Sequence, residues 1–297
     1  MSSGQVFVGI ETGGSKILAR IVDAGGRALA EGRWATTGPE AAFEDLAGFI
    51  ARSVAARDSL AGIGIAAFGP LVRAELSPDY GRVLDTPKPG WTGSNLRARL
   101  AGRFGAPVVI DTDVNAAARA EWQLGAGRGV RSLAYVTVGT GIGGGLVVDG
   151  RALEGALHPE IGHVRLVRRV GDQAPSVCPF HENCVEGLAA GPAIARRLAP
   201  DRTLAGDPGT LELVADYLGE LAATLVLCWS PGRIVWGGGV MATPRLIERL
   251  RAALDAALAG YGVGDAVPAA DFCVAATLEH SGLEGALLLA RSASRRP

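Results

Sequence analysis

The chain has 297 residues, 48% of them hydrophobic, which is enough for two domains that each bury a sizeable core. Its formal net charge is −1 and no basic cluster stands out, which argues against nucleic acids and membrane surfaces as partners. The N-terminal residues lack the basic-then-apolar order of a signal peptide, and no apolar run is long enough to span a bilayer. Four cysteines do not make a disulfide framework, so we expect a reducing, cytoplasmic location.

The first half of the sequence predicts an α/β unit that opens with three strands. Residues 5–11 form an apolar strand that ends in the Gly-rich turn TGGSK, and two short strands separated by glycine turns follow. The pattern then predicts a helix, a buried strand, a second helix, and a strand leading into a third helix, at residues 39–57, 61–70, 93–105 and 107–127. Gly105 is the expected C-cap of the second helix.

The same order of elements begins again near the middle of the chain. Residues 132–153 resemble residues 6–29 as strand, Gly-rich turn, strand, turn and strand, so we interpret them as an internal repeat. Further helices and strands are predicted at residues 191–199, 209–230, 233–240, 244–260, 272–277 and 282–293. We therefore predict an N-terminal α/β domain of residues 1–115, completed by a C-terminal helix at about 282–297, and a C-terminal α/β domain of residues 116–281 with a metal-binding segment.

Three Gly-rich turns follow predicted strands, at residues 13–14, 139–145 and 237–239. Glycine lets backbone amides approach a phosphate without a Cβ atom in the way. Hydroxyls that can add hydrogen bonds to phosphoryl oxygens belong to Thr12, Ser15 and Thr140. Each turn alone could be only a tight turn, but three in order, each at a strand end, favour phosphate binding. They match neither a P-loop, because GxxxxGK[ST] is absent, nor a dinucleotide fingerprint, because the first two lead into hairpins.

Three polar side chains follow an apolar strand at Asp111, Asp113 and Asn115. Phosphoryl transfer needs a carboxylate that accepts the proton of the attacking hydroxyl, and Asp113 is our candidate for this general base. The alternative is that Asp113 caps the helix that follows it. Asp111 has either a structural role or a role beside magnesium.

A cluster of cysteine and histidine predicts a metal site. Cys178, His181 and Cys184 are spaced three residues apart, and His163 can complete a closed set of four N/S ligands, as in structural zinc sites. The alternative is reduced cysteines and loop histidines brought together by chance. His158 is a weaker candidate than His163. Cys228 and Cys273 are expected in the core, and His280 at the surface.

Two carboxylates flank this cluster, Glu160 before His163 and Glu186 after Cys184. A zinc ion that joins the two segments would bring both carboxylates to one place. Carboxylates accept charge-assisted hydrogen bonds from hydroxyl groups, so this arrangement suits a sugar. The metal would then shape a sugar pocket without an open catalytic position. The alternative for each glutamate is an exposed surface charge.

Together these motifs resemble the ROK family of sugar kinases, within the actin-like ATPase superfold, over essentially the whole chain. GIETGGSK is similar to that family's first phosphate loop, GTGIGGG to its second, IVWGGGV to its adenosine-side loop, and HPEIGH to its ExGH sugar and zinc motif. GIAAFGP, TPKPGW, DTDVNAAA and CPFHENCVEG look most like the same segments of bacterial fructokinases. The resemblance implies an α/β, two-domain actin-like ATPase (ribonuclease H-like) fold with an interdomain cleft that closes on the substrates. It implies ATP-dependent phosphorylation of a hexose 6-hydroxyl, with D-fructose as the expected substrate.

The resemblance also assigns the candidate residues. Asp113 is the general base, and the sugar contacts are Glu160, His163, Glu186 and Asn115. The zinc ligands are His163, Cys178, His181 and Cys184. The nucleotide contacts are Thr12, Gly13, Gly14, Lys16, Thr140, Gly141 and Gly238. Magnesium bridges the β- and γ-phosphates of ATP, zinc is structural, and the expected assembly is a homodimer.

Some positions depart from the family pattern. Thr112 stands where many members have Asn, Glu11 where Asp is commoner, and His181 where many members have a cysteine. These differences bear on sugar choice more than on reaction type. The alternatives are a glucokinase, mannokinase or N-acetylmannosamine kinase of the same family, a sugar-sensing repressor without catalysis, and a zinc-stabilised interaction module.

Overall fold

The computed structural model describes residues 4–54, 59–261, 267 and 270–295. The ends of the predicted N-terminal domain, at residues 1–3 and 296–297, lie outside the described residues. The chain divides into two compact units. Unit 1 comprises residues 1–120, 154–158 and 278–297, and unit 2 comprises residues 121–153 and 159–277.

The described strands are β1 (Gln5–Thr12), β2 (Lys16–Asp23), β3 (Ala28–Ala35), β4 (Ser59–Ala67), β5 (Val108–Thr112), β6 (Ser132–Val138), β7 (Ile142–Val148), β8 (Arg151–Ala152), β9 (Arg233–Gly237) and β10 (Cys273–Ala275). The described α-helices are α1 (Pro39–Ser53), α2 (Leu96–Phe104), α3 (Asp113–Gln123), α4 (Val185–Ala189), α5 (Gly191–Ala195), α6 (Pro208–Trp229), α7 (Leu246–Leu258) and α8 (Ser281–Ala293). No helix among these is both long enough and apolar enough to cross a membrane.

The two units have sheets of the same topology. In unit 1 the strand order is β3-β2-β1-β4-β5, with an antiparallel β1-β2-β3 meander and with β4 and β5 parallel to β1. In unit 2 the order is β8-β7-β6-β9-β10, with an antiparallel β6-β7-β8 meander and with β9 and β10 parallel to β6. Each strand of the first sheet therefore has a counterpart in the second, as the internal repeat in the sequence indicates.

In unit 1, helices cover both faces of the sheet. Apolar residues of α1 and α2, such as Leu46 and Leu100, pack with the strands in one cluster. On the other face, α8 packs on β1 and β4. Glycine makes this approach possible, because a Cβ atom at Gly64 would collide with the carbonyl oxygen of Ala286.

The core of unit 2 is built around the sheet and the long helix α6. Leu218 and Leu221 of α6 are fully buried and pack in one cluster with β6, β9 and α7. Cys273 is buried, as predicted, but Cys228 is exposed and the prediction that it lies in the core is wrong. Cys228 belongs to the last turn of α6, where the neighbouring Leu227 is exposed as well, so an apolar sequence there does not indicate a buried position.

Helix α2 is capped at both ends. Asn95 caps α2, since its side chain accepts a hydrogen bond from the Ala98 amide, and Gly105 closes the same helix in the left-handed conformation with φ of 62°. The predicted C-cap at Gly105 is confirmed. Helix α1 ends at Ser53, short of the predicted residue 57, and part of the remaining range lies outside the described residues.

Candidate active site and metal centre

Parallel strands bring the first Gly-rich turn and Asp113 to one edge of the unit 1 sheet. The register aligns Thr12 at the end of β1 with Ala67 of β4, and Ala67 with Thr112 of β5. The turn at Gly13 follows the first of these positions and Asp113 follows the last. Because the carboxyl ends of parallel strands meet at the same sheet edge, the two candidate segments lie on that edge together.

The first turn is a tight hairpin with an exposed tip. The Gly13 amide donates to the Lys16 carbonyl over 2.8 Å, and the Thr36 hydroxyl donates to the Gly13 carbonyl over 2.9 Å. Thr12 is buried, Gly13 and Lys16 are half-buried, and Gly14 is exposed. Two hydrogen bonds at Gly13 therefore stabilise the turn, while Gly14 is exposed to solvent.

Asp113 is the first residue of α3 and is half-buried. The capping function belongs to Thr112, because the Thr112 hydroxyl accepts a hydrogen bond from the Asn115 amide, three residues on. One carboxylate oxygen of Asp113 accepts from the amide of Val114 over 2.9 Å. Thr112 rather than Asp113 therefore caps the helix, and the role of Asp113 as general base stays a prediction.

Asp111, two residues before Asp113, forms a largely buried ion pair that the sequence does not reveal. Arg73 reaches Asp111 with its Nε 2.7 Å from Oδ1 and its Nη2 3.3 Å from Oδ2. Oδ1 of Asp111 also accepts from Nδ2 of Asn115 over 2.9 Å. Asp111 therefore has a structural role. Asn115 is fully buried with its amide on Asp111, and its contact with sugar stays a prediction.

Glu11 lies at the end of β1, against the N-terminus of α8. Burial raises the pKa of its carboxyl group, while nearby His280 and Lys16 and the amide of Leu283 act in the opposite direction. Leu283 belongs to the first turn of α8, where the helix dipole also favours a negative charge. Glu11 thus joins the strand before the first Gly-rich turn to the helix that covers the sheet.

The second and third Gly-rich turns lie side by side in unit 2. Thr137 of β6 pairs with Gly237 of β9, so the turn at residues 139–141 and Gly238 follow adjacent parallel strands. Gly238 has φ of 88°, and a Cβ atom there would collide with the Val138 carbonyl oxygen. Thr140 and Gly238 are exposed. This edge therefore presents backbone from both turns to solvent.

Glu186 connects the second turn to the cysteine segment. It lies on α4, and its Oε2 accepts a hydrogen bond from the Ile142 amide over 3.0 Å. A Cβ atom at Gly141 would lie 2.6 Å from the same oxygen. The sequence predicts Glu186 as a sugar contact and gives no sign of this bond to the backbone.

Four side chains form the predicted metal cluster. The ligand atoms of His163, Cys178, His181 and Cys184 all lie within 4.8 Å of one another. Sγ of Cys178 is 3.8 Å from Nδ1 of His163 and 3.8 Å from Nδ1 of His181. Neighbouring ligand atoms of a tetrahedral zinc ion lie about 3.3–3.8 Å apart. The donor set and its spacing therefore fit zinc.

Two chain segments supply this cluster. His163 ends a short 3-10 helix, Ile161–His163, and its amide donates to the carbonyl of Glu160, whose side chain is exposed. Cys184 precedes α4 and accepts from the Gly187 amide over 3.4 Å. Burial raises the pKa of the Cys184 thiol to about 11, and Cys178 beside it acts in the same direction. His158 is not in the cluster, which agrees with the prediction that it is a weaker ligand candidate than His163.

The chain is similar to known proteins both in sequence and in structure. A model of the ROK family matches residues 7–293. A fructokinase from Zymomonas mobilis subsp. mobilis is 39% identical over 252 residues, which cover 83% of this chain and 84% of that protein. A ROK hexokinase structure from Thermus thermophilus has a TM-score of 0.78 and 34% identity, covering 97% of this chain and 98% of that chain. A ROK family glucokinase from Streptomyces griseus in complex with glucose and AMPPNP has a TM-score of 0.77 and 27% identity, covering 97% and 99%.

These matches confirm the fold class and the resemblance drawn from the motifs. Two α/β units, each with a five-stranded mixed sheet of the same order, are described here, and the structural neighbours share the actin-like ATPase fold of ROK kinases. The match extends over nearly the whole chain rather than over one motif. The chain belongs to the ROK family.

Proposed function

We propose that this chain is an ATP-dependent sugar kinase that phosphorylates the 6-hydroxyl of D-fructose. The observation that carries the reaction class is the shared sheet edge, where Asp113 stands with the first Gly-rich turn. A carboxylate beside a phosphate-binding turn is what phosphoryl transfer to a hydroxyl requires. The choice of fructose is supported by the Zymomonas mobilis fructokinase, at 39% identity.

In the proposed reaction, Asp113 accepts the proton of the sugar hydroxyl. The deprotonated hydroxyl oxygen forms a bond to the γ-phosphorus of ATP while the bond between that phosphorus and the β,γ-bridging oxygen breaks. The products are the sugar phosphate and ADP. General-base catalysis of this kind accelerates reactions by about 10²–10⁴-fold. Asp113 suits the role because it is half-buried and is not needed as the helix cap.

The Gly-rich turns are the proposed nucleotide contacts. The exposed residues of these turns, Gly14, Thr140 and Gly238, can present backbone amides and a hydroxyl to phosphoryl oxygens, and magnesium would neutralise the β- and γ-phosphates. The proposed contacts in unit 1 are Thr12, Gly13, Gly14 and Lys16, and those in unit 2 are Thr140, Gly141 and Gly238. Support comes from the two pairs of neighbouring strands that bring each set to one sheet edge.

The proposed sugar contacts are Glu160, His163, Glu186 and Asn115. The carboxylates accept hydrogen bonds from sugar hydroxyls, and the four-ligand cluster fixes the orientation of His163. The residues that would hold zinc are His163, Cys178, His181 and Cys184, and the ion would supply a structural crosslink between their two segments. We also propose that residues 1–115 with the C-terminal helix, and residues 116–281, act as the two functional domains, and that the enzyme is a homodimer.

The test is a coupled assay of ADP release with Mg–ATP and a panel of fructose, glucose, mannose and N-acetylmannosamine. We expect the largest kcat/KM with fructose and production of fructose 6-phosphate. A larger kcat/KM with glucose would keep the kinase and overturn the substrate, in line with the Streptomyces griseus glucokinase at 27% identity. No ADP release with any hexose, from protein that holds zinc, would overturn the kinase itself.

A further inference from the structure

Residues that follow the metal cluster hold both ends of the second Gly-rich turn. At one end, Oε2 of Glu186 accepts from the Ile142 amide over 3.0 Å. At the other end, the Gly191 amide donates to the Gly139 carbonyl over 2.7 Å. Glu186 and Gly191 belong to α4 and α5, which follow Cys184 directly in the chain. The turn is therefore fixed by the segment that a metal ion would anchor.

The other metal-binding segment contacts the same turn. Gly162 precedes the ligand His163, and a Cβ atom at Gly162 would collide with the carbonyl oxygen of Ile142. The carbonyl group of Ile142 thus contacts the segment of His163, and its amide group contacts the segment of Cys184. Between Cys184 and Glu186 there is one residue, so a metal that fixes the cysteine also fixes the start of α4.

We propose that Glu186 is a positioning residue for the nucleotide phosphates, and that the metal cluster acts on nucleotide binding through it. The carboxylate orients the Ile142 amide and keeps the backbone of residues 139–142 in its binding shape. This role is separate from the sugar contact proposed above and rests on the proposed function. A carboxylate is suited to it because a charge-assisted hydrogen bond to an amide is stronger than a neutral one.

The first experiment measures nucleotide binding without sugar, by calorimetric titration with Mg–ADP. We expect Glu186→Ala to raise Kd by about five- to twentyfold, because loss of a hydrogen bond to a charged group leaves the Ile142 amide unpaired. Glu186→Gln should raise Kd less than Glu186→Ala does, since its side-chain carbonyl can still accept from that amide but carries no charge. Glu182→Ala, an exposed glutamate of the same segment, is the matched control.

A wild-type Kd in Glu186→Ala would overturn the inference, because a residue that only contacts sugar leaves sugar-free nucleotide binding unchanged. Equal weakening in the Ala and Gln variants would also overturn it, since the Gln side chain keeps an acceptor. If the Ala variant does not fold, Glu186→Asp provides the same comparison, because its shorter side chain does not reach the Ile142 amide.

The second experiment tests the link to the metal. Chelation of the wild type should raise Kd for Mg–ADP, whereas chelation of Glu186→Ala should raise it by a smaller factor, because only the contacts of Gly191 and Gly162 then connect the cluster to the turn. Equal factors in the two proteins would overturn the link. Nucleotide binding that behaves as expected without sugar phosphorylation would refute the proposed function alone. ADP release together with a wild-type Kd in the Ala variant would refute this inference alone.

Discussion

The guanidinium of Arg73 lies 2.7 Å from the carboxylate of Asp111, whose side chain is buried while that of Arg73 is partly exposed. Asp111 also accepts a hydrogen bond from the side chain of Asn115. These three side chains therefore stabilise the junction between β5 and α3. Asp113 is the first residue of α3 and lies at this junction. We therefore expect the orientation of the proposed base to depend on this ion pair.

Removal of Arg73 should destabilise unit 1. The Arg73→Ala variant leaves the Asp111 carboxylate buried without its cationic partner, and we expect a loss of about 3–5 kcal/mol in the free energy of unfolding. Urea denaturation measures this loss. Arg131→Ala removes an exposed pair with Asp149 and should change the unfolding midpoint little. Equal midpoints for Arg73→Ala and the wild type would show that the buried pair contributes nothing.

Replacement of Asp113 should separate catalysis from binding. We expect Asp113→Asn to lower kcat by about 10²–10⁴-fold, because the amide cannot accept the hydroxyl proton. The Kd of the sugar, measured by titration, should change only a few-fold. Asp45→Asn, at an exposed position on α1, serves as the control. A variant of Asp113 with near-wild-type kcat would exclude this residue as the base.

Metal analysis tests the cluster independently of activity. We expect about one zinc ion per chain in the purified protein, and loss of that zinc with a lower Tm in Cys178→Ser, because a bound metal stabilises the folded state. Cys228→Ser is the matched control, since Cys228 is exposed and lies outside the cluster. Zinc content that is unchanged in Cys178→Ser would contradict the assignment of this ligand.

Two glycines in unit 1 should respond in opposite ways to alanine. In Gly64→Ala the new Cβ atom meets the Ala286 carbonyl, so α8 must shift, and we expect a loss of about 3 kcal/mol. Gly102 lies in α2 with open space around its Cα position, and Gly102→Ala should gain about 0.5–1 kcal/mol. Thermal and urea unfolding check both signs. A neutral Gly64→Ala would mean that α8 does not pack as closely as described.

Local signals account for what the sequence could predict. The two hairpins and the cap at Gly105 depend on glycine positions and on alternation along a strand, which a reader finds without knowing the fold. Arg73 was missed because its partner lies 38 residues away and its own loop has no periodic pattern. The Glu186 contact was missed because its partner is a backbone amide 44 residues away, and an amide carries no residue-type signature.

Because α8 packs on β1 and β4, the core of unit 1 can be completed only after α8 has been synthesised. The strands of unit 1 leave the ribosome before the helix that covers one face of their sheet. The strands and helices of unit 2 are complete before α8 emerges, so that unit can finish its core during synthesis. Until α8 has been synthesised, the apolar sheet face that it covers stays open to solvent, and we expect this face to be a site of aggregation in the nascent protein.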